Sequence, residues 1–295
     1  MRGTDDENTH ETQEQNMIVV TGATGNIGRP LTRALAASGA QVTAVSRHAA
    51  PMPDGVRHVV ADLADPAGLT PVLTGAKSLF LLLSGDLHAT GAEHAGLLAR
   101  AADSGVRRVV LLSTLGVVTR PFGPTRVAMR ALEDTLRESG MEWSLLRPGG
   151  FASNALWWAE SVRTRRVVAA PFGDVGVPLV DPADIAEVAA ACLLEDRHTG
   201  GAYDLTGPEV ITPRQQTEAL ATALGSPVAF HELTREEAGA GLRRAMPAEL
   251  AEDTLDILGS PSPAELRVSP DVERVLGRAP RTFADWAARH VEAFR

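Results

Sequence analysis

The run Thr21-Gly22-Ala23-Thr24-Gly25-Asn26-Ile27-Gly28 constrains the fold more than any other segment, because of what flanks it. The apolar stretch Met17 to Val20 precedes it, and a helical pattern from Ile27 to Ser38 follows. Glycine lets the backbone turn tightly and lets an anion approach main-chain N–H groups with no Cβ in the way. The helix that opens there adds unpaired N–H donors and the positive end of its dipole. Strand, glycine turn and helix in this order distinguish a dinucleotide-binding loop from an ordinary glycine-rich turn. Thr21, Gly22, Thr24, Gly25, Asn26, Ile27 and Gly28 are therefore candidate cofactor-binding residues.

Apolar runs and helical patterns keep alternating beyond this loop. Strands are expected over Met17–Thr21, Gln41–Ser46, Val56–Ala61, Ser78–Leu83, Arg108–Leu112 and Glu142–Leu146. Helices are expected near Ile27–Ser38, Pro66–Leu73, Gly91–Ser104 and Pro124–Ser139, several ending in a Ser-Gly cap signal. The alternation predicts an α/β chain, a Rossmann-type doubly wound parallel sheet with a smaller C-terminal substrate lobe. After Pro148 the rhythm changes. Val177–Val180 and Tyr203–Leu205, with a helix over Asp184–Leu194 between them, are expected to return to the sheet. The expected domains are a disordered leader (1–16), a nucleotide-binding domain (17–148, completed by 177–205) and a substrate-side lobe (149–176 and 206–295).

The end of the second strand reads the adenosine ribose: a carboxylate there suits NAD, an arginine the 2′-phosphate of NADP. Ser46-Arg47-His48 occupies that point and no acid follows until Asp54. A guanidinium pairs bidentately with phosphate and Ser46 offers a hydroxyl, so NADP(H) is the expected cofactor. A solvated arginine at a strand end is the bland alternative.

The chain has 295 residues, 44% hydrophobic and 22% charged, as expected of a soluble globular protein. A net charge of -9 argues against a nucleic-acid surface. Arg163, Arg165 and Arg166 read as a solvated helix end. The single cysteine, Cys192, excludes an intrachain disulfide and reads as a buried, inert thiol. No run of eighteen apolar residues is present, and Met1 to Asn16 lacks the apolar centre of a signal peptide, so the expected compartment is the cytoplasm. The eight histidines show no metal-ligand spacing, and no metal is expected. His88 and Asp86, after the fourth strand, are placed either as solvated loop residues or, for His88, as a proton donor.

The Gly-x-x-Gly-x-x-Gly spacing resembles the extended and atypical short-chain dehydrogenases/reductases, and within them the NmrA-like NAD(P)-binding family. The likeness continues in Arg147-Pro148-Gly149-Gly150-Phe151 and in Pro178-Leu179-Val180-Asp181-Pro182-Ala183-Asp184-Ile185-Ala186. It recurs in Tyr203-Asp204-Leu205-Thr206-Gly207-Pro208-Glu209 and in Leu276-Gly277-Arg278-Ala279-Pro280-Arg281-Thr282-Phe283. The resemblance implies Asp62-Leu63 beside the adenine, with a helix-cap role for Asp62 the alternative, and adds Leu83, Ser84 and Pro148 on the cofactor's edge of the sheet.

Reductases of this kind that act on carbonyls pair a Tyr acid with a Lys four residues on, plus a Ser after the fifth strand. Ser113-Thr114 fills the Ser position, while aligning Glu133 with the family's acid puts Thr125 at the Tyr and Met129 at the Lys. The whole chain holds one tyrosine, Tyr203, and one lysine, Lys77, far apart. One reading is an NADPH-dependent oxidoreductase for a quinone or other conjugated aromatic small molecule, whose reduced form needs little acid catalysis. Ser113, Thr114 and Asn154 are then the candidate catalytic residues. Phe151, Asn154, Trp157, Trp158 and Met129 are the candidate substrate-binding residues, the aromatic cluster serving equally as inter-lobe packing. The second reading is an NADP(H)-binding redox sensor that reports to a protein partner without turnover. The third is a fold recruited for a non-redox step on an aromatic metabolite.

Overall fold

Strands form where the chain runs apolar without polar alternation, and helices where apolar residues recur on one face. The computed structural model describes residues 17–63, 65–83 and 91–295. Its first elements are β1 (Ile18–Thr21), α1 (Gly28–Ala37), β2 (Val42–Ser46), β3 (Arg57–Val60), α2 (Pro66–Leu73) and β4 (Ser78–Leu81). Then come α3 (Gly91–Asp103), β5 (Arg108–Leu112), α4 (Gly116–Thr119), α5 (Pro124–Glu138) and β6 (Glu142–Pro148). The chain continues through α6 (Ala159–Arg165), β7 (Val167–Pro171), α7 (Pro182–Leu194), β8 (Gly201–Leu205), α8 (Pro213–Leu224) and β9 (Ala229–Leu233). It closes with α9 (Arg235–Ala245), α10 (Ala248–Gly259), α11 (Asp271–Leu276) and α12 (Phe283–Arg289). Internal contacts divide the described residues into two units. One holds the chain up to Arg147 with Ile185–Asp204; the other holds Pro148–Asp184 with Leu205–Arg295.

The first unit is built on a seven-stranded sheet in the order β3-β2-β1-β4-β5-β6-β8. Every pairing from β3 to β6 is parallel, so the expected Rossmann-type doubly wound sheet is present. The strand order reverses between β1 and β4, the place where ligands settle in open α/β sheets. Leu79, Phe80 and Leu81 are fully buried, as a strand covered on both faces requires. The Ser-Gly signals act as caps. Ser38 and Ser139 each donate from Oγ to a carbonyl three residues back, Leu35 and Leu136, at 2.7 Å. Burial pushes the Cys192 thiol up to about 12, which keeps it inert at neutral pH.

Val177–Val180 departs from expectation. It forms no strand of the main sheet, only isolated bridges from Val177 to Ile211 and from Val180 to Phe151. Pro178 has no N–H to give to a ladder, which accounts for the interruption.

The second unit holds a two-stranded parallel sheet, β7 against β9, in register from Val167↔Ala229 to Pro171↔Leu233. Its core gathers Val162, Leu220, Phe283, Trp286 and Phe294, with Trp286 stacked on the His290 ring at 4.7 Å between centroids. Two of the resemblance motifs meet here. The Asp184 carboxylate, fully buried, accepts from Arg278 Nη2 at 2.7 Å, from the Arg281 main-chain N–H at 2.7 Å and from the Arg281 side chain. Asp181 caps α7 through Ala183 N–H at 2.8 Å and pairs with Arg289. The basic cluster is more than a solvated helix end. Arg163 and Arg166 donate to the main-chain carbonyls of Ala293 (3.3 Å) and Phe294 (3.2 Å), fastening the C-terminal turn.

Candidate active site

The glycine loop follows β1 and carries three kinds of constraint. Gly22 adopts φ 63°, a left-handed conformation that a side chain resists. Gly28 opens α1, and a Cβ there would stand 2.1 Å from the Gly22 carbonyl oxygen and 2.6 Å from Ala23 Cα. Ala23 N–H donates to Val45 O at 3.0 Å, tying the loop to β2. Arg29 Nε donates to the Thr24 carbonyl at 2.8 Å, and Gly25 N–H to Gly22 O at 2.9 Å. Gly25 and Asn26 are exposed, whereas the Ile27 side chain is buried, so Ile27 offers a ligand only its backbone. Ile27, the residue at the N-cap of α1, makes no side-chain cap hydrogen bond. A turn that excludes Cβ atoms and leads into a helix whose N-cap residue offers no side-chain acceptor fits a pyrophosphate.

Thr21 turns inward. Its hydroxyl accepts the Leu82 N–H at 2.8 Å and lies 3.0 Å from Phe80 O, so it fastens β1 to the end of β4. Leu83, just beyond, is buried in the hydrophobic core; Ser84, Asp86 and His88 lie outside the described residues. At the end of β2 the Ser46 hydroxyl is also engaged, with His48 O and His58 Nε2 both at 2.8 Å. Arg47 is exposed and makes no hydrogen bond or ion pair among the described residues. Its charge is thus available at the place where the 2′-phosphate of NADP is read. Asp62 is exposed and its carbonyl accepts Asp65 N–H at 3.1 Å, while Leu63 packs on the core.

Ser113 and Thr114, side by side after β5, have different duties. Ser113 donates to Glu133 Oε1 at 2.6 Å. Glu133 is fully buried in α5 and is held by a bidentate Arg147 (2.9 and 2.5 Å) and by Arg137 at 3.2 Å. Burial alone pushes the Glu133 carboxyl up. The hydrogen bonds from Arg147 and Ser113 and the charges of Arg147 and Arg137 outweigh it and hold the group below the usual carboxylate range. The Ser113 proton is therefore committed to the protein. Thr114 instead accepts the Gly116 N–H on Oγ1 at 3.3 Å, and its own proton meets no acceptor among the described residues. Of the two hydroxyls, Thr114 is the one with a proton to offer.

Arg126, which sequence reasoning missed, is buried beside Thr114. The available signal was the pair Gly116 and Gly123 upstream of it, legible only once α4 and α5 are folded together. Met129 is buried in the hydrophobic core, where its side chain serves packing. Tyr203 is buried and its hydroxyl lies 2.8 Å from His198 Nδ1. Lys77 stands immediately before β4, its N–H bonded to Met17 O at 2.9 Å, at the strand's opposite end from the glycine loop.

In the second unit, Pro148 ends β6 and is buried. Phe151 pairs with Val180, and a 3₁₀ turn over Ala152–Trp158 follows. Asn154 is exposed on that turn, Trp157 is 64% exposed, and Trp158 packs partly against the unit's core. Trp158 is thus partly committed to packing and Trp157 is not. Among the described residues no cluster of His, Cys, Asp and Glu is placed to hold a metal ion, and no helix is long and apolar enough to cross a membrane.

Comparison with known proteins bears on these features. Residues 22–196 match a family model described as NAD(P)H-binding. The chain is 38% identical over 284 residues to a (4-alkanoyl-5-oxo-2,5-dihydrofuran-3-yl)methyl phosphate reductase of Streptomyces griseus, covering 94% of this chain and 99% of that protein. It is 31% identical to an NAD(P)H azoreductase of Xenophilus azovorans, covering 94% and 99%. The crystal structure of an NADPH-dependent quinone oxidoreductase of Escherichia coli, in complex with NADPH, superposes with TM-score 0.76 at 27% identity over 92% of this chain and 99% of that one. Nmra, a negative transcriptional regulator, is similar in fold alone, at 19% identity and TM-score 0.73 over 94% of this chain and 96% of that one.

Proposed function

The chain belongs to the NAD(P)H-binding family and is an NADP-dependent oxidoreductase; we propose that its hydride acceptor is a quinone or another conjugated small molecule. When bound, NADPH supplies the hydride. The glycine loop and the α1 N-terminus hold the pyrophosphate, and Arg47 takes the 2′-phosphate. Hydride arriving on a conjugated acceptor leaves negative charge spread over a heteroatom, an anion that water can protonate. Thr114 donates a hydrogen bond to that heteroatom.

One observation carries this reading. The hydroxyl beside the end of β5 that keeps its proton belongs to Thr114, whereas Tyr203 is spent on His198 and Lys77 stands before β4. Without a tyrosine–lysine pair to protonate an alkoxide, acceptors that form a stabilised anion are favoured over simple ketones. The names of the relatives agree: they refer to an oxo-dihydrofuran, an azo compound and a quinone.

The test is loss of NADPH absorbance with a panel of quinones, azo dyes and unsaturated lactones set against simple ketones. Turnover confined to the conjugated acceptors is expected. Equal turnover of simple ketones would overturn the substrate class, and tight NADPH binding with no turnover on any acceptor would return the redox-sensor reading.

A further inference from the structure

Arg126 is only 7% exposed, a degree of burial unusual for an arginine. Two glycines make its place. A Cβ on Gly116 would stand 2.7 Å from Arg126 Nε, and one on Gly123 would stand 2.5 Å from Nη1. Neither glycine is among those with positive φ, so what each supplies is space for this side chain and not an unusual backbone. The Gly116 position is also 3.5 Å from Thr114 Oγ1. Guanidinium and hydroxyl therefore flank a single point, and the Gly116 N–H donates to Oγ1 at 3.3 Å, which leaves the hydroxyl's own proton to be given elsewhere.

Resting on the conjugated-acceptor reading, we infer that Arg126 is a positioning residue that acts through Thr114. Its fixed charge strengthens the threonine hydroxyl as a donor to the acceptor heteroatom as negative charge builds there. A guanidinium keeps its charge across the working pH range, and a nearby cation makes a hydroxyl a stronger hydrogen-bond donor. The balance is simple. Two electrons and one hydrogen come as hydride from NADPH, a C–H or N–H bond forms, one π bond breaks and its electron pair moves to the heteroatom. Water supplies the remaining proton, and Thr114 keeps its own. The role that the lysine plays beside tyrosine in related reductases falls here to an arginine beside threonine.

The experiment compares the full-length wild type with R126M, which fills the slot without charge, and R126K, which fills it with a charge that titrates. Turnover of the best quinone is measured across pH, with NADPH affinity and melting temperature measured on each variant. In R126M, kcat is expected to fall by about 100-fold, the scale of losing a preorganised electrostatic donor, with NADPH affinity unchanged. R126K is expected to retain part of kcat near neutrality and to lose it as the buried ammonium deprotonates, an alkaline limb absent from the wild type. Wild-type kcat in R126M overturns the inference. Should R126M fail to fold, R126K decides alone: a pH profile parallel to that of wild type overturns the inference equally. A wild type that reduces no conjugated acceptor instead overturns the underlying reading, before any variant is made.

Discussion

Thr21 and Leu82 are joined both ways by one hydroxyl: Thr21 Oγ1 accepts the Leu82 N–H at 2.8 Å and lies 3.2 Å from the Leu82 carbonyl, across 61 residues of sequence. The single hydroxyl proton is shared between the Leu82 and Phe80 carbonyls. This clamp stands where the strand order reverses between β1 and β4, so the mouth of the glycine loop depends on it.

Thr21→Val removes the acceptor and leaves the Leu82 N–H unmatched, at a cost of about 1–3 kcal/mol. The melting temperature is expected to fall and NADPH to bind more weakly, while Thr21→Ser keeps both close to wild type. Thermal melts with and without NADPH measure this; a valine variant that melts with the wild type would show the clamp to be dispensable.

Gly28→Ala places a Cβ 2.1 Å from the Gly22 carbonyl oxygen, a contact that only a backbone shift relieves. Overpacking of this kind costs about 1–3 kcal/mol, and NADPH affinity by calorimetry is expected to drop by about tenfold or more. Gly96→Ala, in α3 with nothing within 4 Å of the added methyl, is the control and is expected to bind NADPH normally. Matching affinities for both variants would contradict the loop assignment.

Arg47→Ala removes a guanidinium that no group among the described residues engages, so stability is expected to hold. NADPH loses a charge-assisted contact worth about 1.5–3 kcal/mol, roughly 10- to 100-fold in Kd, while NADH affinity is unchanged. Equal weakening of both cofactors would place the 2′-phosphate elsewhere.

Glu133 binds its proton more weakly in the folded protein than in the unfolded chain, so protonation favours unfolding. Its contribution is complete above the ordinary value of 4.5 and is lost as pH falls through the lower folded value. Glu133→Gln leaves Arg147 and Arg137 without their counter-charge and is expected to destabilise by about 3–5 kcal/mol at neutral pH. The gap from wild type narrows in acid. Urea midpoints at neutral and acid pH measure it; a constant gap would mean that Glu133 is not the group responsible.

Backbone architecture was legible because it is written locally. The runs at β1, β4 and β5, the Ser-Gly caps and the glycine loop each signal within a few residues. Side-chain duty was not, because the partners are remote. Ser46 meets His58 twelve residues on and Ser113 meets Glu133 twenty residues on, so hydroxyls expected to face a ligand turn into the protein. The pairing of β7 with β9 joins Val167 to Ala229, a match that no local pattern announces. Arg126 carries no local signal of its own, because the Gly116 and Gly123 positions that make room for its side chain meet it only in the folded chain.

The most direct test is the pH dependence of kcat for NADPH-dependent quinone reduction from about pH 6 to 9, a range in which neither threonine nor arginine titrates. A flat profile is expected, since water protonates the reduced acceptor and no side chain has to give up a proton for the reaction to finish. A limb with a midpoint near 6.5, the ordinary histidine range, would contradict it by showing that a titrating side chain delivers the proton.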